Sequence, residues 1–121
     1  MNARDKGALG ERAAGNFLRS KGYRLVSVNY TCRFGEIDLI AEKDGFLAFV
    51  EVKTRTEGTP YTPREAVGPV KQQRIIRAAM QYLNLHQQPL QPRFDVIEVI
   101  LKKTDPHEAV CFEHIENAFT L

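Results

Sequence analysis

Apolar residues recur at helical spacing between Ala3 and Lys21, where Leu9, Ala13, Ala14, Phe17 and Leu18 form one stripe and Gly22 follows as a C-terminal cap. This pattern predicts a first helix. The period then changes: Arg24 to Tyr30 is rich in β-branched and aromatic residues and closes in a polar turn over Thr31 to Gly35, which predicts a strand. Glu36 to Lys43 and Phe46 to Thr54 are two further strand-like runs flanking Asp44-Gly45, a dipeptide suited to a two-residue hairpin. Glu57 to Thr62 reads as a loop. Thr62, Pro63 and Glu65 then offer an N-cap, a first-turn proline and a capping-box acid, predicting a helical turn that Gly68-Pro69 interrupts. A longer helix follows to about Leu85, with Ile75, Ile76, Ala79, Met80 and Leu83 as its apolar stripe. Pro89 and Pro92 bracket a short linker, and Phe94 to Leu101 and Ala109 to Ile115 predict two more strands separated by Thr104-Asp105-Pro106.

The long helical connection between strands three and four implies a parallel, right-handed crossover, whereas the hairpin supplies an antiparallel pair. The predicted fold class is therefore α/β: a mixed five-stranded sheet covered by helices in three α/β/α layers. At 121 residues and 43% hydrophobic composition, the chain has material for one core, and we read a single domain over 1–121. No stretch approaches the roughly 18 apolar residues of a membrane span, so a soluble protein without a membrane partner is expected. Met1 to Gly10 lacks an apolar signal core, and Cys32 and Cys111 lie far apart without zinc spacing, which favours inert thiols in a reducing cytoplasm. His86, His107 and His114 also lack metal-ligand spacing and are read as surface or structural residues. A net charge of +2 permits a nucleic-acid partner without demanding one.

The hairpin changes that picture. With Asp44 and Gly45 as the turn, Lys43 faces Phe46, Asp38 faces Glu51 and Glu36 faces Lys53, and strand alternation places these four charged residues on one side of the sheet. Ile40 and Phe49 share that side; Ile37, Leu39, Val50 and Val52 are expected on the other. Carboxylates opposed across a ladder at ~5 Å repel by roughly 3 kcal/mol at an effective dielectric near 20. A divalent cation converts that repulsion into ligation, and oxygen ligands suit Mg²⁺ or Mn²⁺. Lys53 would stabilise phosphate charge or orient an attacking water. The plainer alternative is a Glu36–Lys53 ion pair with Asp38 and Glu51 facing water. It is disfavoured because ionised groups inside strongly apolar strands are rare unless paired or liganded.

Gly35-Glu36-Ile37-Asp38-Leu39-Ile40 and Phe49-Val50-Glu51-Val52-Lys53-Thr54-Arg55 resemble the Asp, Glu-x-Lys core of the restriction-endonuclease-like (PD-(D/E)XK) nuclease superfamily. Together with Gly10-Glu11-Arg12-Ala13-Ala14, Lys71-Gln72-Gln73-Arg74 and Phe94-Asp95-Val96, they resemble the uncharacterised bacterial YraN family over nearly the whole chain. Ile37 stands where the superfamily often has a proline. The resemblance implies a fold like that of Holliday-junction resolvases, metal at Asp38 and Glu51 with the Val52 carbonyl completing the shell, and catalysis assisted by Lys53. It also draws in Glu11, because related nucleases often place an acid on the first helix.

Arg33, Arg55, Lys71 and Arg74 lie in or beside these motifs and are candidate phosphate contacts; Lys71, near a helix start, is the foremost. Tyr61 is a candidate base-stacking residue, with packing the favoured role. The functional expectation is a Mg²⁺- or Mn²⁺-dependent endonuclease that hydrolyses DNA phosphodiester bonds. Branched or structured DNA is the substrate suggested by the resemblance, and a homodimer is left open. Its rivals are a nucleic-acid-binding adaptor with a nuclease fold and little turnover, and an interaction module whose acidic cluster is structural.

Overall fold

In a computed structural model, residues 2–58, 67–105 and 108–120 are described. The expected turn at Thr62, Pro63 and Glu65, together with Tyr61 and His107, lies outside them. The elements are α1 (Ala3–Ser20), β1 (Arg24–Cys32), β2 (Gly35–Lys43), β3 (Phe46–Thr56), α2 (Pro69–Leu85), β4 (Gln91–Leu101) and β5 (Ala109–Phe119). The strands form one sheet in chain order, with β3 and β4 parallel and every other neighbouring pair antiparallel. α1 packs on one face and α2 on the other, giving the three expected layers. No helix among the described residues is long and apolar enough to cross a membrane.

Local chemistry sets the boundaries. Asn2 caps α1 by accepting the Asp5 N–H at 2.8 Å. The helix stops where Gly22 takes φ +94°, and its N–H and that of Tyr23 donate to the Arg19 and Leu18 carbonyls. Asp44 and Gly45 both have positive φ, which matches the turn to the right-handed twist of the hairpin, and Lys43 pairs with Phe46.

Ala14 and Leu18 of α1 close the first layer over Leu39, Ala48, Val50 and Val99. Ile75, Ala78, Ala79 and Tyr82 of α2 close the second over Ile40, Phe49, Phe94 and Val96. Two expected placements differ. Met80 is 46% exposed, and Ala78 and Tyr82 fill the core positions that its stripe left open. Ile37 packs on the α2 side and not with Leu39, so strict alternation fails along β2 just before Leu39.

β4 begins at Gln91 and absorbs Pro92, which was expected in a linker. Pro92 pairs with Leu47 of β3, whereas pairing to β5 starts only at Phe94, so the proline lies where β4 is still an edge. β5 runs on to Phe119, beyond the expected end at Ile115.

A polar network ties the outer strand to α1. Fully buried Asp95 accepts from Arg93, His114 Nε2 and the Asn117 N–H, while Lys21 donates to His114 Nδ1 at 2.8 Å. Lysine has no acceptor, so the His114 proton resides on Nε2. Burial alone would raise the Asp95 carboxyl, but these donors outweigh it and hold Asp95 below the ordinary carboxylate range.

α1 approaches β3 closely at Gly10. A Cβ there would sit 2.8 Å from Thr54 Cβ and closer still to the Thr54 hydroxyl. Gly10→Ala is therefore expected to force the layers apart, at a cost of roughly 1 to 3 kcal/mol. Thermal melts should show a Tm lower by several degrees, and an unchanged Tm would place α1 farther from β3 than described.

Candidate metal and phosphodiester site

The β2–β3 ladder follows the expected register from Lys43↔Phe46 to Leu39↔Val50 and ends there. The expected backbone pairs Asp38–Glu51 and Glu36–Lys53 are not part of it. Instead, Asp38 Oδ2 accepts the Val52 N–H at 2.8 Å, so a side chain takes the place of a backbone acceptor. The strands part beyond this bond and open a pocket of about 670 Å³. Glu36, Asp38 and Glu51 line it from the sheet, and Pro69, Lys71 and Arg74 from the first turns of α2.

Glu11 comes from α1, carried in by the close approach at Gly10. One oxygen from each of Glu11, Glu36 and Asp38 lies within 4.8 Å of the others. Asn29, in the left-handed region at φ 53°, bridges two of these acids. With its amide nitrogen turned toward them, it donates to Glu11 Oε1 at 2.7 Å and Glu36 Oε1 at 2.9 Å. Spacing offered no sign of Asn29, because its role depends on where α1 meets β1.

Glu51 is 5% exposed and faces two lysines: Lys71 Nζ is 2.6 Å and Lys53 Nζ 3.5 Å from its Oε1. The two lysines lie close to each other beside this carboxylate. Burial and the Lys71 contact push the Lys53 ammonium below the ordinary lysine range. For Lys71, burial acts in the same direction but is outweighed by its contact with Glu51, and its pKa rises. The more firmly charged lysine of the pair is therefore Lys71. Asp38 is pushed up to about 8, first by burial and then by Glu51, against the opposing Val52 hydrogen bond. Burial, with Glu36 and Glu51 adding to it, raises Glu11 as well.

Asp38, Glu51, Lys53, Glu11 and Lys71 thus converge. Arg74 stands at the pocket wall. Arg55 is engaged within the sheet, its Nε lying 2.8 Å from Oε2 of Glu98, which is 1% exposed. Arg33 lies outside the acidic pocket, at the β1–β2 turn, with its guanidinium over the Phe34 ring. Val52 enters through its N–H. The donor chemistry fits a hard cation: Glu11, Glu36 and Asp38 offer oxygen alone, as Mg²⁺ and Mn²⁺ prefer.

Residues 10–99 match the uncharacterised protein family UPF0102. A UPF0102 protein of Symbiobacterium thermophilum is 46% identical, the aligned region covering 97% of this chain and 98% of that protein. One of Myxococcus xanthus is 41% identical over 96% of this chain and 90% of its own. One of Caldanaerobacter subterraneus is 42% identical over 98% of each.

A raised carboxyl pKa gives the pH dependence its sign. Between the unfolded value near 4 and about 8, the folded protein holds a proton on Asp38 that the unfolded chain has released, so stability falls as pH rises. In chelator, the parent Tm should drop between pH 5.5 and 8. Asp38→Asn, which keeps the acceptor for Val52, should flatten the drop to the part due to Glu11 and melt higher than the parent at pH 8. A parent Tm that rises over this interval would contradict the electrostatics of the site.

Proposed function

The chain belongs to the UPF0102 family, the YraN family its motifs resemble, and we propose that it is a Mg²⁺- or Mn²⁺-dependent endonuclease acting on DNA. The observation that carries this reading is the convergence of the Glu36 and Asp38 oxygens of the open pocket, joined from α1 by Glu11, with a buried Glu51 that touches two lysines. Acids alone would suit many sites. Acids that outnumber the neighbouring cations, beside lysines able to meet a phosphate, suit phosphodiester chemistry.

Phosphodiester hydrolysis needs a water oxygen to bond to phosphorus, one P–O ester bond to break and a proton to reach the departing oxygen. When bound, Mg²⁺ or Mn²⁺ supplies positive charge against the phosphate and lowers the pKa of water. Asp38, with Glu36 and Glu11, would hold it; the superfamily resemblance adds Glu51, whose Oε1 here accepts from Lys71. Lys53 Nζ, fixed beside Glu51, donates to a phosphate oxygen as negative charge develops and orients the water. Lys71 and Arg74, at the first turns of α2, meet the flanking phosphate charge, where the helix N-terminus also favours an anion. Branched or structured DNA remains the proposed substrate class.

Cleavage of single-stranded, duplex, flap and junction DNA with Mn²⁺ or Mg²⁺ tests the reading. We expect metal-dependent cleavage that Lys53→Ala lowers by about 10² to 10³. The Mn²⁺-induced rise in Tm should survive in that variant, because a protonated lysine is no ligand. Asp38→Asn should lose both cleavage and most of the Mn²⁺ stabilisation, about 2.7 kcal/mol at a hundredfold excess over Kd. DNA binding without cleavage across the panel would favour an adaptor, and equal Mn²⁺ shifts in parent and Asp38→Asn would remove Asp38 from the cation.

A further inference from the structure

α2 bears Lys71, Arg74 and Arg77 and has no Asp or Glu from Pro69 to Leu85. α1, by contrast, mixes Arg4, Asp5, Lys6, Glu11, Arg12 and Arg19, as expected of a helix whose polar face simply meets water. Arg33, Arg74 and Arg77 are exposed, and among the described residues no ion pair engages any of them. The single-sign face of α2 borders two cavities. The acidic pocket lies between α2 and Gly35-Glu36, and a second cavity of about 340 Å³ lies between α2 and the preceding residues Arg33-Phe34.

That second cavity combines apolar, cationic and amide groups. Phe34 is half-buried against the α2-side core, and the Arg33 guanidinium carbon lies 4.7 Å from its ring centroid. Met80, turned away from the core, supplies an apolar wall. Gln81 and Asn84 complete the lining, and Gln81 Oε1 is buried with no hydrogen-bond partner among the described residues.

We propose that this groove holds an unpaired strand of DNA leading to the acidic pocket, with its phosphates along Arg74, Arg77 and Arg33 and a base against Phe34, Met80 and Gln81. The assignment rests on the nuclease reading and deepens it by naming a single-stranded arm as the part of the substrate recognised. Phosphate charge alone would bind duplex equally well. An apolar surface beside amide groups is useful only to a base whose face and edge are free, as in a single strand.

Fluorescence anisotropy in chelator, where nothing is cleaved, tests the groove separately from turnover. The probes are a labelled oligo-dT and a blunt duplex of equal nucleotide number. The parent should bind oligo-dT more tightly than duplex. Arg77→Gln and Arg33→Gln should each reduce the slope of log affinity against log salt by about 0.7, the single-strand value for one phosphate contact. Met80→Ala should weaken oligo-dT binding several-fold with the slope unchanged, while Arg19→Gln, on α1, should alter neither quantity. Circular dichroism melts confirm that these exposed positions leave the fold intact. Absence of oligo-dT binding by the parent, parental binding in the groove variants, or equal losses on the blunt duplex would each overturn the proposal. Failure of metal-dependent cleavage with these binding results intact would strike the nuclease reading and leave the groove standing.

Discussion

Beyond Leu39 and Val50, the contact between β2 and β3 passes from the backbone to one side chain, the Asp38 carboxylate accepting the Val52 N–H. Continued backbone pairing would have closed the sheet at this point. With Asp38 as acceptor, the Val52 donor is satisfied while the strands separate, so an opening forms without leaving a buried amide unpaired. The pocket inherits its position from this substitution. It also inherits its electrostatics, because the carboxylate that terminates the ladder is held where burial and Glu51 oppose its ionisation.

The same sheet contains buried acids of a different kind. Asp95 is fully buried, yet Arg93, His114 and the Asn117 amide surround its oxygens and lower its pKa. Glu98 is 1% exposed and faces Arg55. These acids are saturated by donors inside the protein and fix elements to one another. At the open end, Glu11, Glu36, Asp38 and Glu51 share the nearby lysines Lys53 and Lys71, both of which bond to Glu51. Glu11, Glu36 and Asp38 have no ion pair with either lysine among the described residues, and Asp38 responds by holding its proton up to about 8. Burial is thus common to both groups of acids, and what separates them is whether the fold itself supplies the compensating cation.

Much of this was legible because period and turn chemistry act locally. Asp44-Gly45 set the hairpin register from Lys43↔Phe46 to Leu39↔Val50, which puts Ile40 opposite Phe49 on the α2 side and brings Asp38 and Glu51 to the end of the ladder. The crossover between β3 and β4 followed from a helix of amphipathic period lying between two strands. What resisted reading depends on contacts between distant segments. Asn29 acquires a role only when α1 lies over β1, and Arg55 is claimed by Glu98 across the parallel pair. Alternation could not foresee that Ile37 would turn to the α2 side, because it assumes a ladder that the Asp38 side chain ends. Lys71 was expected near a phosphate, and spacing could not show that its ammonium also contacts Glu51.

The near-neutral total of +2 conceals how the charges are arranged. Acids from α1, β2 and β3 gather at the separated strand ends, whereas α2 presents cations alone along the edge of the same opening. A uniform mixture with the same net charge would produce no directional field. Segregation creates a gradient from a negative interior, suited to a cation, to a positive rim, suited to a polyanion. The two ligands would then assist one another, since a cation among the acids removes the repulsion that a phosphate would otherwise meet beyond the rim. This reciprocity follows from Coulomb attraction at close range and requires no movement of the fold. Gly10 and the Asp38–Val52 bond matter because they bring the opposite charges near enough for that coupling to operate.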